Sequence, residues 1–71
     1  TSLDYSITDD THVSIAVYDV SGQMVETLVD NYKNAGTYNV VWNAYNYSSG
    51  IYFIGMSVNG SHYTQKLMLV K

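Results

Sequence analysis

The sequence predicts an all-β protein, an immunoglobulin-like antiparallel β-sandwich of about seven short strands, and three observations carry that reading. Apolar and polar residues alternate with a period of two along most of the chain, as half-buried strands require. Clusters of Gly, Asn, Asp and Ser interrupt the alternation at roughly ten-residue spacing. The chain has no proline, and no stretch with convincing helical periodicity. Its 71 residues suit one domain, 1–71, near the size at which a chain buries only about 60% of its unfolded surface.

The elements follow in order. Leu3, Tyr5 and Ile7 alternate with Ser2, Asp4 and Ser6, a first strand over Ser2–Ile7. Thr8 to Thr11, with Asp9 and Asp10, reads as a turn, because short acidic side chains bond their own backbone. From His12 to Asp19, Val13, Ile15 and Val17 stand against Ser14, Ala16 and Tyr18, the clearest alternation and hence a central strand. Val20 to Gln23 reverses the chain, with Gly22 supplying a positive φ.

Met24 to Val29 returns as the next strand. Val25 and Leu28 are three apart rather than two, so either a bulge lies between them or one faces out; a helical turn is the rival reading. Asp30 to Ala35 reads as a polar loop. Tyr38, Val40 and Trp42 form the inward set of a strand over Gly36 to Asn43, and Tyr52, Ile54, Met56 and Val58 that of another over Gly50 to Val58. Asn59-Gly60 is a strong hairpin signal, and Ser61 to Lys71 closes the chain with Leu67 and Leu69 inward. The expected core is Val13, Ile15, Val17, Tyr38, Val40, Trp42 and Ile54, centred on the single Trp.

Composition narrows the function. With three Lys, no Arg, six acidic residues and a formal charge of -3, no basic patch could neutralise a run of phosphates, which argues against nucleic acid as a partner. Without cysteine, the fold has neither disulfides nor thiolate metal sites, and the 46% apolar residues must supply the core. Only 13% of residues are charged, so solubility rests on neutral polar groups, a pattern nearer to secreted β-modules than to cytosolic enzymes. No apolar run approaches about 18 residues, so no transmembrane segment is expected. The start lacks an initiator Met and a signal peptide's basic and apolar regions, which reads as a piece of a longer protein.

Residues that might carry chemistry read more simply as structure. His12 and His62 begin strands among polar neighbours and do not make a zinc site. Asp4, Asp9 and Asp10 are an oxygen-rich set without EF-hand spacing, better read as a solvated acidic turn, so neither metal nor cofactor is expected. Glu26 is the lone Glu, without an acidic partner for acid–base work. Ser48-Ser49-Gly50 lacks the strand–turn–helix setting of a nucleophile elbow, and no enzyme activity is expected. Tyr32, Tyr45 and Tyr47 fall in expected loops and are candidates for stacking on glycans; the plainer reading folds them over the ends of the sandwich. Asn46-Tyr47-Ser48 and Asn59-Gly60-Ser61 match the glycosylation sequon, a motif common by chance.

Four stretches together resemble a known family. Val13 to Asp30 (VSIAVYDVSGQMVETLVD), Ala35 to Ala44 (AGTYNVVWNA), Ser48 to Phe53 (SSGIYF) and Lys66 to Lys71 (KLMLVK) look like the C-terminal sorting domain of the type IX secretion system, a group similar to the Ig-like domain of flagellar hook-capping proteins. The order and spacing of all four make the resemblance specific, and it covers nearly the whole chain. It implies a seven-stranded sandwich attached to an N-terminal passenger domain, read by the outer-membrane secretion machinery, and in many members removed by a sortase as the cargo is joined to surface lipopolysaccharide. The implied location is the bacterial cell surface, reached through the periplasm and outer membrane. The family's G-x-Y motif falls on Gly50 and Tyr52 and its C-terminal basic residue on Lys71, while the upstream N-P-x-N-P segment has no counterpart.

The expected function is therefore a non-catalytic sorting and anchoring module. Its sorting-signal candidates are Gly50, Tyr52, Leu67, Leu69 and Lys71, with the terminal strand docking by β-augmentation. Two other readings remain open at this point. One is an adhesion or assembly module that self-associates through its sheet edges, which have no proline and few lysines to blunt them. The other is a carbohydrate-binding module.

Overall fold

The computed structural model describes residues 2–70. They form β1 (Ser2–Ile7), β2 (Thr11–Tyr18), β3 (Met24–Lys33), β4 (Gly36–Val41), β5 (Gly50–Val58) and β6 (Ser61–Leu69), with no helix among the described residues. The expectation of about seven strands becomes six. The long link 42–49 adds none, because local bonds replace a ladder there: Tyr45 N donates to Asn43 Oδ1 and Tyr47 N to the Ala44 carbonyl.

The strands make two antiparallel sheets, β1-β4 and β3-β2-β5-β6. Inward residues from both meet as one core. Tyr5, Ile7, Val13, Ile15, Val17, Trp42, Tyr52 and Ile54 are buried, and Tyr38 and Val40, expected in the core, are half-buried against it. Tyr5 and Tyr38 face each other across the β1–β4 pair with their rings stacked at 5.5 Å. Ala16 is also buried, on the outer face of β2, because a central strand is flanked on both sides and its neighbour Gly55 lies under the Tyr18 ring.

Met24 to Lys33 is strand throughout, which removes the helical alternative. The register with β2 slips twice, from Val29 to Thr27 opposite Ile15 and Ala16, and from Glu26 to Met24 opposite Val17 and Tyr18. The extra residues are Leu28 and Val25, so each of the two positions that break the alternation sits in its own bulge, and each turns its side chain towards the core. β3 also extends through Asp30 to Lys33, so Tyr32 is a strand residue rather than a loop residue. Its longer ladder with β2 pairs Tyr32 with His12.

β4 contacts β3, whereas β1 lies over β5 and towards β6. Two strands stacked on four leave the inner side of β6 uncovered near Tyr63 and Gln65, both exposed. The β2–β3 reversal is held by Asp19, whose Oδ1 accepts from Ser21 N, Ser21 Oγ and Gln23 N, with Gly22 at φ 88°. The β5–β6 hairpin turns on Asn59 at φ 50° and Gly60 at φ 80°, the left-handed pair that a type I′ turn demands.

Candidate functional site

At one end of the sandwich the start of β5 runs against the finish of β6. Gly50 pairs directly with Leu69, and Tyr52 with Leu67. Four of the five sorting-signal candidates thus form two facing cross-strand pairs, although the partners lie far apart in sequence; the fifth, Lys71, lies outside the described residues. Gly50 has φ 155°, a backbone conformation that side chains rarely adopt, and a Cβ built there would touch nothing within 4 Å. Its requirement is conformational rather than spatial.

Tyr52 is buried, and its hydroxyl donates to the Ser48 carbonyl at 2.8 Å, fixing the loop that leads into Gly50. Its ring meets Trp42 edge-on at 5.3 Å, and Tyr47 tilts against the other side of Trp42 at 5.4 Å. These aromatic contacts add to area burial by about 0.5–1.5 kcal/mol per pair. Leu67 and Leu69 are half-buried and pack against the buried core of which Trp42 and Tyr52 are part. The end is therefore an aromatic platform with the last residues of β6 paired along its rim.

Tyr47 closes the platform towards β3. Its hydroxyl donates to Glu26 Oε1 at 2.8 Å, with the Val25 carbonyl at 3.2 Å, and the Glu26 carboxylate raises the phenol's pKa above its ordinary value. The ring packs on Trp42 and is half-buried. Tyr32 and Tyr45 are exposed, one on β3 and one in the 42–49 link.

Elsewhere polar candidates serve the fold. His12 Nε2 lies 2.7 Å from Asp30 Oδ1 across the β2–β3 pair, both side chains being well exposed. Such a pair is worth little. Asp4 Oδ1 accepts from Asn39 Nδ2, and Asp10 Oδ1 from Ala35 N, each at 2.7 Å, which ties β1 to β4 and the acidic turn to the start of β4. Among the described residues no group of three or more His, Cys, Asp or Glu is placed to hold a metal. None contains a helix long and apolar enough to cross a membrane.

Sequence reasoning missed the Glu26–Tyr47 lock, whose partners are 21 positions apart in the chain, one on β3 and one in the 42–49 link. Tyr63 was also missed, though a signal existed: it continues the inward phase of Leu69, Leu67 and Gln65 along β6.

The chain matches the family model described as "Secretion system C-terminal sorting domain" over residues 2–71. No match was found among curated proteins or among solved structures.

Proposed function

We propose that this chain, which belongs to the secretion system C-terminal sorting domain family, presents the paired ends of β5 and β6 as the surface that the secretion machinery reads. The family's domains are sorting signals for type IX secretion rather than enzymes, and they direct a larger passenger protein to the outside and to the cell surface. The observation that carries the finer reading is the direct pairing of Gly50 with Leu69 and of Tyr52 with Leu67. A glycine that no side-chain-bearing residue replaces cheaply and a tyrosine locked to Ser48 hold the end of β6 in a fixed position.

Beyond that end, β6 offers a sheet edge without a partner strand among the described residues. A component of the outer-membrane machinery adds a strand there, through main-chain hydrogen bonds, after the passenger has reached the periplasm. A sortase then acts on the exported protein. Rigidity at the platform serves docking, since a preordered edge loses little conformational freedom on binding.

The test is export of a passenger fused upstream of residues 1–71 in a type IX-competent bacterium. Deleting Leu67 to Lys71, or replacing Gly50 and Tyr52, is expected to leave the passenger in the periplasm. Equal export of intact and altered fusions would overturn the assignment.

A further inference from the structure

β1 has one ladder partner, β4, so alternate residues along its other side present backbone N–H and C=O groups to no strand among those described. That free edge overlooks the uncovered inner side of β6. Between them runs a trough with two adjoining volumes of about 380 and 470 Å³, the first beside Leu3 and Tyr5, the second beside Ser6 and Ile7, with Met56 and Tyr63 lining both. The trough follows β1 from end to end. Its floor is mainly apolar beside Leu3 and Tyr5 and mixed beside Ile7, where Ser6, Thr8, Asn59 and Ser61 join Met56 and Val58, and Tyr63 stands 59% exposed at its side.

We propose that this trough is a docking site for a lone extended strand of a partner protein, with apolar side chains alternating inward and basic ones outward. Such a strand would pair with the free edge of β1, widen the two-stranded sheet to three and cover Met56 and Tyr63. The site lies beside β1, apart from the end of the sandwich assigned to sorting.

Two observations choose the occupant. The sole charged side chain lining either volume is Asp4, on the outward phase of β1. An incoming strand's outward residue lies next to it, where a basic group is favoured and an acidic one opposed. A folded second copy does not fit, because its own β1 comes already backed by its larger sheet. That sheet would have to occupy the space of β6. The inward side chains of the added strand must instead be free to pack on β6.

The experiment adds capped hexapeptides to the 71-residue chain and follows its amides and side chains by NMR. The probes are alternating lysine–valine, glutamate–valine and lysine–threonine peptides. Lysine–valine is expected to slow hydrogen exchange at alternate amides of β1 and to shift the Met56 methyl and the Tyr63 ring. Glutamate–valine should bind about five- to tenfold more weakly, and lysine–threonine not measurably. Asp4→Lys, with its fold checked by the near-ultraviolet signal of Trp42, should reverse the order of the two valine peptides. Equal binding of all three, or shifts confined to β6, would overturn the proposal. So would protection of β1 in the absence of peptide accompanied by dimers in light scattering, which would assign the trough to a second copy.

Discussion

β3 and β6 both end the four-stranded sheet, and each leaves one row of backbone groups unpaired within it. β3 is blunted. Two bulges bend it, Glu26, Asp30 and Lys33 place charges along it, and Tyr47 hooks it to the aromatic platform. β6 has fewer of these devices: its ladder with β5 runs from Ser61 to Leu69 without a register shift, and Lys66 is its sole Lys or acidic residue. Tyr63 and Met68 stand exposed along it and Val70 follows. β6 is thus the flatter and less protected of the two edges.

The contrast can be broken or sharpened by substitution. Trp42 is 2% exposed and supports Tyr47 on the β3 side and Tyr52 on the β6 side, so Trp42→Ala should remove both anchors at once. A loss of about 3–5 kcal/mol is expected in urea unfolding, enough to leave so small a chain mostly unfolded. Gly50→Val should cost about 1–3 kcal/mol by forcing a branched residue to φ 155°, and should disturb β6 while sparing β3. Amide exchange in the two strands reads the difference.

Exchanging the character of the edges is a smaller perturbation. Met68→Lys should change stability by no more than about 0.5 kcal/mol yet reduce passenger export, whereas Asp30→Val should leave export intact and raise self-association in light scattering. If both variants behave alike, the edges are equivalent and the contrast fails. The smallest effect belongs to Asp19, at the turn entering β3. Its hydrogen bonds from Ser21 and then Gln23 hold its pKa below the ordinary 3.8, so the folded value lies under the unfolded one. The stabilisation is therefore full above about pH 3.8 and is lost as pH falls below it. Asp19→Ala should lower stability near neutral pH and flatten the acid end of the stability curve.

The difference between the edges was only half legible in sequence. Side-chain alternation located Val13, Ile15, Val17, Trp42 and Ile54 because burial on one face imposes a period of two. The irregular spacing of Val25 and Leu28 signals a disturbance, consistent with a bulge, an outward residue or a helical turn, and the strand contains two bulges. Tyr32 read as loop because its neighbours Asp30, Asn31, Lys33 and Asn34 are polar; pairing with β2 outweighs that local preference. Pairing of Gly50 with Leu69 follows from the hairpin at Asn59-Gly60, so the candidate end was implicit in one short signal. The stacking of two strands on four was not, since it depends on β1 finding β4 across the whole of β2 and β3.

That last pairing also sets a sequence of events in time. The β2–β3 and β5–β6 hairpins join neighbours in the chain and can form within about 1–10 μs, but no part of β1 meets its partner until Gly36 has found Ile7. Until then the inward sides of Val13, Ile15 and Val17 lack the cover that Tyr5 and Ile7 provide. Closure of the small sheet is thus the expected slow step, in the millisecond-to-second range typical of all-β chains. In pulse-labelled exchange, protection at Ser14 to Val17 should precede protection at Leu3 to Ser6. Of these six strands, the first to be synthesised is then the last to settle.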